Sequence, residues 1–345
     1  MEKEDNTYNI LLKVLKIYDI KEISKKLDIS ISTINRWIEL KNVPTLYQFD
    51  LMKFIYDDID YSLFSSKDKD QFYTPVKTAQ YCFDTFKNLM NKLNISIDDY
   101  YYIEPSAGTG SFIKVLPDIK TLGLDIEPKY NNIIKQDYLL WTPNDKNKKY
   151  IVFGNPPFGL RGSLALRFIN HSYEFADFVC FILPQLFESD GKGVPRKRVK
   201  AYNLIYSEKI ITNFYDPNNN EIKVNVIFQI WSKIIENKDY ILKNTSNNNI
   251  KIYSLSDGGT SSSTRNKKML NICDIYIPST CFGKENMRLY NSFEELPGKK
   301  GYGIVFKNDK KKMIEKCKKI DWSSISFQST NSAYNLRSSI IILQF

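Results

Sequence analysis

The stretch YIVFGNPPFG, residues 150–159, carries a short apolar run into an amide, two adjacent prolines and an aromatic ring, with a glycine on either side. The prolines fix φ at two successive positions and remove two backbone donors, so neither a helix nor a central strand continues through them. The segment is predicted to be a strand that ends in a rigid turn. Asn155 and Phe158 are then held at the strand exit.

Outward from that turn, further apolar runs recur as YYYIEP from residue 100, TLGLDI from residue 121 and FVCFILP from residue 178, separated by helical stretches. This alternation predicts a parallel sheet with crossover helices. Residues 209–215 and 222–231 flank a turn-rich DPNNN and read as one long antiparallel hairpin. Residues 1–64 show three short helical faces, around Ile10 and Leu11, Ile23 and Leu27, and Ile34 and Trp37. A polar linker spans 65–70. Beyond Trp231 the pattern fades into Asn-, Ser- and Gly-rich loops at 244–249 and 257–264, with a basic helix expected at 307–319. There is no internal repeat. The expected division is 1–64, 65–235 and 236–345.

The chain of 345 residues is long enough for one large domain and a smaller one, and 42% hydrophobic with 26% charged residues is ordinary for a globular protein. A formal charge of +10 favours a polyanionic partner, although much of the lysine also fits a solvated surface, and the abundance of Asn, Ile, Lys and Tyr fits an AT-rich genome. Five scattered cysteines without a CxxC pair and a single histidine offer neither a metal-ligand set nor a disulfide framework. A reducing compartment is expected. No apolar leader opens the chain, and its longest apolar run, 178–183, is too short for a bilayer. The expectation is a soluble protein, cytoplasmic, or nuclear if it comes from a eukaryote or its virus, with no membrane partner.

Four strand ends gather polar residues. Glu104–Gly110 is a small-residue turn that lets a ligand approach the backbone and leads toward a helix; Asp125 closes a strand roughly 20 residues later, at ribose-binding spacing. Gln136-Asp137-Tyr138 and GNPPFG complete the edge. Singly, the glycines read equally as tight packing and the aspartate as a helix cap.

Taken in order, QFYTP (71–75), EPSAGTGSF (104–112), GLDIEP (123–128), QDYLLW (136–141) and NPPF (155–158) resemble the motifs of S-adenosylmethionine-dependent adenine-N6 DNA methyltransferases of the γ order. The resemblance implies an α/β, Rossmann-like fold with a mostly parallel seven-stranded sheet, S-adenosylmethionine as cofactor, and no metal. It implies that Tyr73, Thr74 and Pro75 surround the methionine moiety, and that Glu104, Ala107, Gly108 and Gly110 line the cofactor. Asp125 would take the ribose hydroxyls, Ile126 would pack on the cofactor adenine, and Asp137 with Tyr138 would complete the adenine pocket. Asn155, Pro156, Pro157 and Phe158 form the implied catalytic turn. The family's second aromatic, near the turn between the sixth and seventh strands, has only Phe214 or Tyr215 to fill it here. Related motifs also serve RNA adenine and protein glutamine methylation, and a regulator carrying an inactive methyltransferase domain is a further reading. A partner restriction endonuclease belongs to the same implied setting; the oligomeric state is not legible.

An exocyclic adenine amine is a poor nucleophile because its lone pair is delocalised into the ring. Acceptors on both N–H groups favour a pyramidal nitrogen, and Asn155 and the Pro156 carbonyl are the residue types that supply them. Phe158 offers a ring for the base to stack on, or a core residue. An adenine within a duplex must be flipped out to reach this turn. Arg196, Lys197, Arg198 and Lys200 read as phosphate contacts, as a solvated basic loop or as a nuclear-import signal.

Residues 20–39 resemble the helix-turn-helix of phage repressors. Ile23, Leu27, Ile29, Ile34 and Trp37 fall at core positions, and Asp28 stands where glycine is usual. Ser30, Ser32, Thr33, Asn35 and Arg36 would then face a major groove; a protein-contact role is the alternative.

Overall fold

Capping residues set the starts of the N-terminal helices. Asn6 opens α1 (Thr7–Val14) by accepting from the Asn9 amide at 2.9 Å. Asp19 opens α2 (Ile20–Leu27), its Oδ1 taking the Lys21 and Glu22 amides at 2.7 and 2.9 Å. Ser30 opens α3 (Ile31–Glu39) through the Thr33 amide at 3.2 Å. Such caps satisfy donors that the first turn leaves unpaired. Asp28, between α2 and α3, adopts φ 52 and ψ 45, the left-handed conformation that aspartate tolerates. With α4 (Gln48–Met52) these helices bury Leu11, Val14, Ile23, Ile34 and Leu51 in one apolar cluster. The computed structural model describes residues 6–56, 59–65, 69, 71–189, 194–237, 240, 247–258, 264–328 and 332–345. Residues 66–68 and 70 of the expected linker, and 244–246 and 259–263 of the expected loops, lie outside the described residues.

Helix α5 (Val76–Lys92) leads into β1 (Tyr100–Glu104), β2 (Thr121–Asp125), β3 (Ile133–Lys135), β4 (Lys149–Gly154), β5 (Ala176–Pro184), β6 (Asn203–Ile210), β7 (Asn213–Tyr215), β8 (Glu221–Lys223) and β9 (Val226–Ser232). Seven of these form one sheet in the order β3-β2-β1-β4-β5-β9-β6. It is parallel from β3 to β5, and β9 runs antiparallel to both of its neighbours. This is a mostly parallel, Rossmann-like α/β sheet. Strands β5 and β9 are buried along almost their whole length, which is why they read as continuous apolar runs rather than alternating ones. β4 stops at Gly154, one residue before Asn155 and two before the prolines.

Two expectations need correction. The turn after β1 does not lead into an α-helix: residues 109–116 form successive turns before a short 3-10 segment at Asp118–Lys120. Two glycines at positive φ, Gly108 and Gly110, open this segment and Pro117 closes it, so too little helix-forming sequence remains. Between sheet strands the α-helical crossover is α6 (Ser163–Ser172), joining β4 to β5. The long hairpin is also split. β6 pairs with β9, while β7 and β8 form a separate two-stranded ribbon whose Tyr215 bridges antiparallel to Tyr73. The competing backbone pairing on Tyr73 draws the hairpin tip away from the main sheet.

In the C-terminal region, β10 (Ile250–Ser256), β11 (Ile275–Pro278), β12 (Thr280–Cys281) and β13 (Lys300–Phe306) follow, and β13 is the centre of an antiparallel sheet between β10 and β11. Helix α7 (Lys310–Lys318) is the expected basic helix. The region meets the seven-stranded sheet where Gln185 Oε1 accepts from the Gln328 amide at 3.0 Å and Arg337 Nε donates to Ser189 Oγ at 3.1 Å.

Phe153, the last apolar residue before the turn, is fully buried, with ring contacts to Phe83, Phe86, Phe112 and Phe228. Truncating such a residue leaves a cavity costing about 3–5 kcal/mol. Phe153→Ala is expected to lose that much in a urea titration, whereas Phe153→Leu should lose far less.

Candidate active site

β1 and β4 lie side by side, and the chain continues from β1 to β2 on one side and from β4 across to β5 on the other. Loops that diverge in this way leave a crevice at the C-terminal sheet edge, where open α/β sheets bind ligands. Glu104 ends β1. It is 2% exposed, and its Oε2 accepts from the Ile113 amide at 3.0 Å. Burial pushes its carboxyl well above the ordinary glutamate range; the Ile113 amide opposes this and the Asp125 charge adds to it.

Asp125 ends β2 and pins the glycine turn. Its Oδ2 accepts from the Gly108 amide at 2.7 Å and its Oδ1 from the Glu127 amide at 2.7 Å. Burial raises its pKa against those two bonds. Each oxygen keeps a lone pair for a hydroxyl donor. Ala107 is buried, its amide bonded to Leu124 O at 2.9 Å, and Ile126 is half-buried beyond Asp125. Gly108 has φ +48, and a Cβ there would lie 3.2 Å from the Tyr73 ring; Gly110 has φ +76, and a Cβ there would lie 2.5 Å from the Tyr130 ring. The glycines therefore admit two aromatic rings as well as the left-handed backbone.

Tyr73 joins the site through its backbone, which exchanges hydrogen bonds of 2.7 and 3.0 Å with Tyr215. Burial, with the Glu127 and Asp125 charges, pushes its hydroxyl up to about 12. Thr74 is buried behind it, and Pro75 is the extended N-cap residue before α5, its φ of -60 fixed by the ring. Neighbouring Gln71 donates to Glu127 Oε2 at 3.5 Å, and Lys69 makes an ion pair of 2.6 Å with the same carboxylate.

At the strand exit, Asn155 Nδ2 donates to Phe72 O at 3.4 Å, and Ser106 Oγ donates to Asn155 O at 3.1 Å. Asn155 Oδ1 is buried and has no hydrogen-bond partner among the described residues. Pro156 is buried and Pro157 half-buried. Phe158 is 6% exposed and belongs to the main apolar core, so its ring presents no open face in this conformation. Two residues on, Leu160 packs into the N-terminal cluster.

Tyr138 is a correction. Its ring is 1% exposed and packs among Trp141, Phe168, His171 and Phe175, with its hydroxyl 2.7 Å from Ser172 Oγ. The 3-10 turn at Tyr138–Leu140 sends it inward while the Asp137 side chain stays partly exposed. Asp137 Oδ1 accepts from the Leu139 amide at 3.0 Å, and its Oδ2 lies 2.6 Å from Lys53 Nζ. Lys53 is a site residue that sequence reasoning misses. Contacts between distant segments leave no period or spacing to read.

The basic run also needs correcting as a free phosphate clamp. Arg196 donates to Tyr240 O, and Arg198, itself exposed, pairs with Asp28 at 2.6 Å; Lys197 and Lys200 are exposed as well. On α3, Ser32, Asn35 and Arg36 are exposed and Thr33 half-buried; Ser30, also exposed, shares its hydroxyl with those of Ser32 and Thr33 at 2.8 and 2.9 Å. Among the described residues no helix is long and apolar enough to cross a membrane.

No family model and no curated protein matches the chain. Solved structures resemble it distantly. A candidate RNA methyltransferase from Pyrococcus horikoshii is 17% identical with a TM-score of 0.36, over 48% of this chain and 87% of its own. The 23S rRNA methyltransferase ErmE is 16% identical with a TM-score of 0.32, over 50% and 73%. A chain from a type I restriction–modification assembly is 13% identical with a TM-score of 0.34, over 67% and 61%. At these values the likenesses carry no argument about chemistry, and the fold rests on the sheet order itself.

Glu104 sets a pH dependence. Its folded-state pKa lies above the unfolded one, so the folded form holds the extra proton and stability falls as pH rises from the unfolded toward the folded value. Glu104→Gln keeps an acceptor for the Ile113 amide. Thermal melts from about pH 4 to 8 should show the wild type losing stability with rising pH and the variant following a flatter curve. Parallel curves would remove Glu104 as the source.

Proposed function

We propose that the chain transfers a methyl group from S-adenosylmethionine to the N6 amine of adenine in DNA, with the base extruded from the duplex. The observation that carries this reading is the buried, unpartnered carbonyl of Asn155. Leaving such an acceptor unpaired costs about 1–3 kcal/mol, and a donor that enters the crevice relieves it. An exocyclic amine is such a donor. The Pro156 carbonyl, stiffened by the prolines on either side of its peptide bond, is the second acceptor. Together they hold the amine so that its lone pair projects out of the ring plane, which is catalysis by positioning and electrostatics.

The cofactor, when bound, supplies an electrophilic methyl group on a sulfonium. The residues present fit it: Tyr73 and Thr74 for the methionine moiety, the Gly108 turn for close backbone approach, Asp125 for hydroxyls, and Ile126 and Asp137 for a purine. Glu104 and Asp125 resist ionisation, so a cation seated near them offsets the cost of their charge. Tyr215, half-buried and bridged to Tyr73, is the aromatic we assign to the second face of the target base. We divide the chain at 1–64, a helix-turn-helix that binds duplex DNA through α3, 65–235 for catalysis, and 236–345 for target recognition.

Labelled cofactor offered in parallel to DNA, RNA and protein tests the substrate class; label entering RNA or protein but not DNA overturns it. Asn155→Ala should slow methyl transfer by about 10²- to 10³-fold, the effect of losing one oriented polar contact. Binding of S-adenosylhomocysteine should be unchanged, and normal turnover would refute the role. Arg36→Ala should weaken duplex binding by about 1–3 kcal/mol in a fluorescence anisotropy titration at fixed salt, and leave cofactor affinity alone.

A further inference from the structure

Asp137 opens into a cleft of about 630 Å³ whose far wall is built from the N-terminal helices. Lys53, Phe54 and Tyr61 line it together with Ile126, Asp137 and Leu140. One Asp137 oxygen is used by the Leu139 amide, and the Lys53 ammonium holds the other at 2.6 Å. A second ion pair fixes the same segment: Arg167 Nη1 lies 2.8 Å from both oxygens of Asp50, which is on α4. The N-terminal helices are thus fastened by charge at the edge where a purine is expected.

We propose that Lys53 is a residue of the cofactor's purine subsite, occupying Asp137 until an adenine amine displaces it, so that cofactor binding loosens the N-terminal helices from the catalytic sheet. This rests on the reading of Asp137 as the adenine acceptor. A carboxylate only accepts, and both an ammonium and an adenine amine only donate; each oxygen can take two donors, so the competition lies in the approach, since Lys53 and Asp137 both line the cleft and an amine reaching the carboxylate from it meets the ammonium there. The exchange is cheap because the pair is partly solvated, with side chains 33% and 17% exposed for Lys53 and Asp137. Linkage makes it reciprocal: whatever holds Lys53 on Asp137 weakens adenine binding by the same factor.

The test uses the full-length protein, with calorimetric titration of S-adenosylhomocysteine and of S-inosylhomocysteine, which carries a carbonyl in place of the amine. Lys53→Met removes the ammonium and keeps the apolar stem. The adenosyl compound should bind the variant about two- to fivefold more tightly than wild type. The inosyl compound should bind it more weakly, because its carbonyl accepts from Lys53 instead of competing with it. Raised salt should tighten adenosyl binding to wild type and leave the variant flat. Hydrogen exchange across residues 48–56 should rise when S-adenosylhomocysteine is added to wild type. If both analogues move in the same direction or neither moves, Lys53 is only part of the wall and the proposal fails. If wild type binds neither analogue, the cofactor reading itself fails, and this inference falls with it.

Discussion

Everything at this site depends on β1 and β4 ending side by side. Ile103 lies in register with Val152, so Glu104 leaves β1 level with Phe153 and Gly154–Asn155 follow directly beside it. Gly154 has room for no more than a Cβ against Glu104, with 3.4 Å to its Cγ. The prolines then forbid β4 from running on, and Asp125 ties the glycine turn back across the end of β2. Two backbone constraints and one carboxylate thus shape the crevice.

Electrostatically the crevice is unfinished. Among the described residues Glu104 is buried without a hydrogen-bonding cation, Asp125 takes its hydrogen bonds from two backbone amides, and Asn155 presents a carbonyl with no donor. Unrelieved acceptors thus gather along this edge. A site of that kind discriminates by what is missing, since a ligand lacking donors or positive charge leaves the cost of those groups unrelieved. The surrounding lysines stay outside: Lys69 and Lys129 are both engaged by Glu127, whose carboxyl they hold below its ordinary value against the opposing effect of burial.

The strands are legible in the sequence because β5 and β9 are buried throughout and so appear as unbroken apolar runs. The turn at Asn155 is legible because proline chemistry is local. The segment after β1 is misread as helical because its glycines and Pro117 act through backbone conformation, which an apolar period does not register. Tyr138 is misassigned because adjacency to Asp137 says nothing of which way a 3-10 turn rotates each side chain. Arg198 on Asp28 and Lys53 on Asp137 join segments far apart in the chain, and no local pattern encodes such pairs. Whether the Asn155 carbonyl has a partner is likewise a property of the folded molecule, even though the residue type announces an acceptor.

The Tyr73–Tyr215 bridge also bears on how the protein comes into being. Tyr73 precedes every strand of the sheet, while Tyr215 lies in the ribbon between its last two strands, β6 and β9. Antiparallel β9 must also be inserted between β5 and β6, which are already synthesised when it emerges. Pairings of such long range pay their loop-closure entropy before they return any contact energy, and they form slowly. A nascent chain therefore has its glycine turn and Pro-Pro turn long before it has a closed crevice around them. The crevice closes only late in synthesis, when the ribbon reaches back to Tyr73.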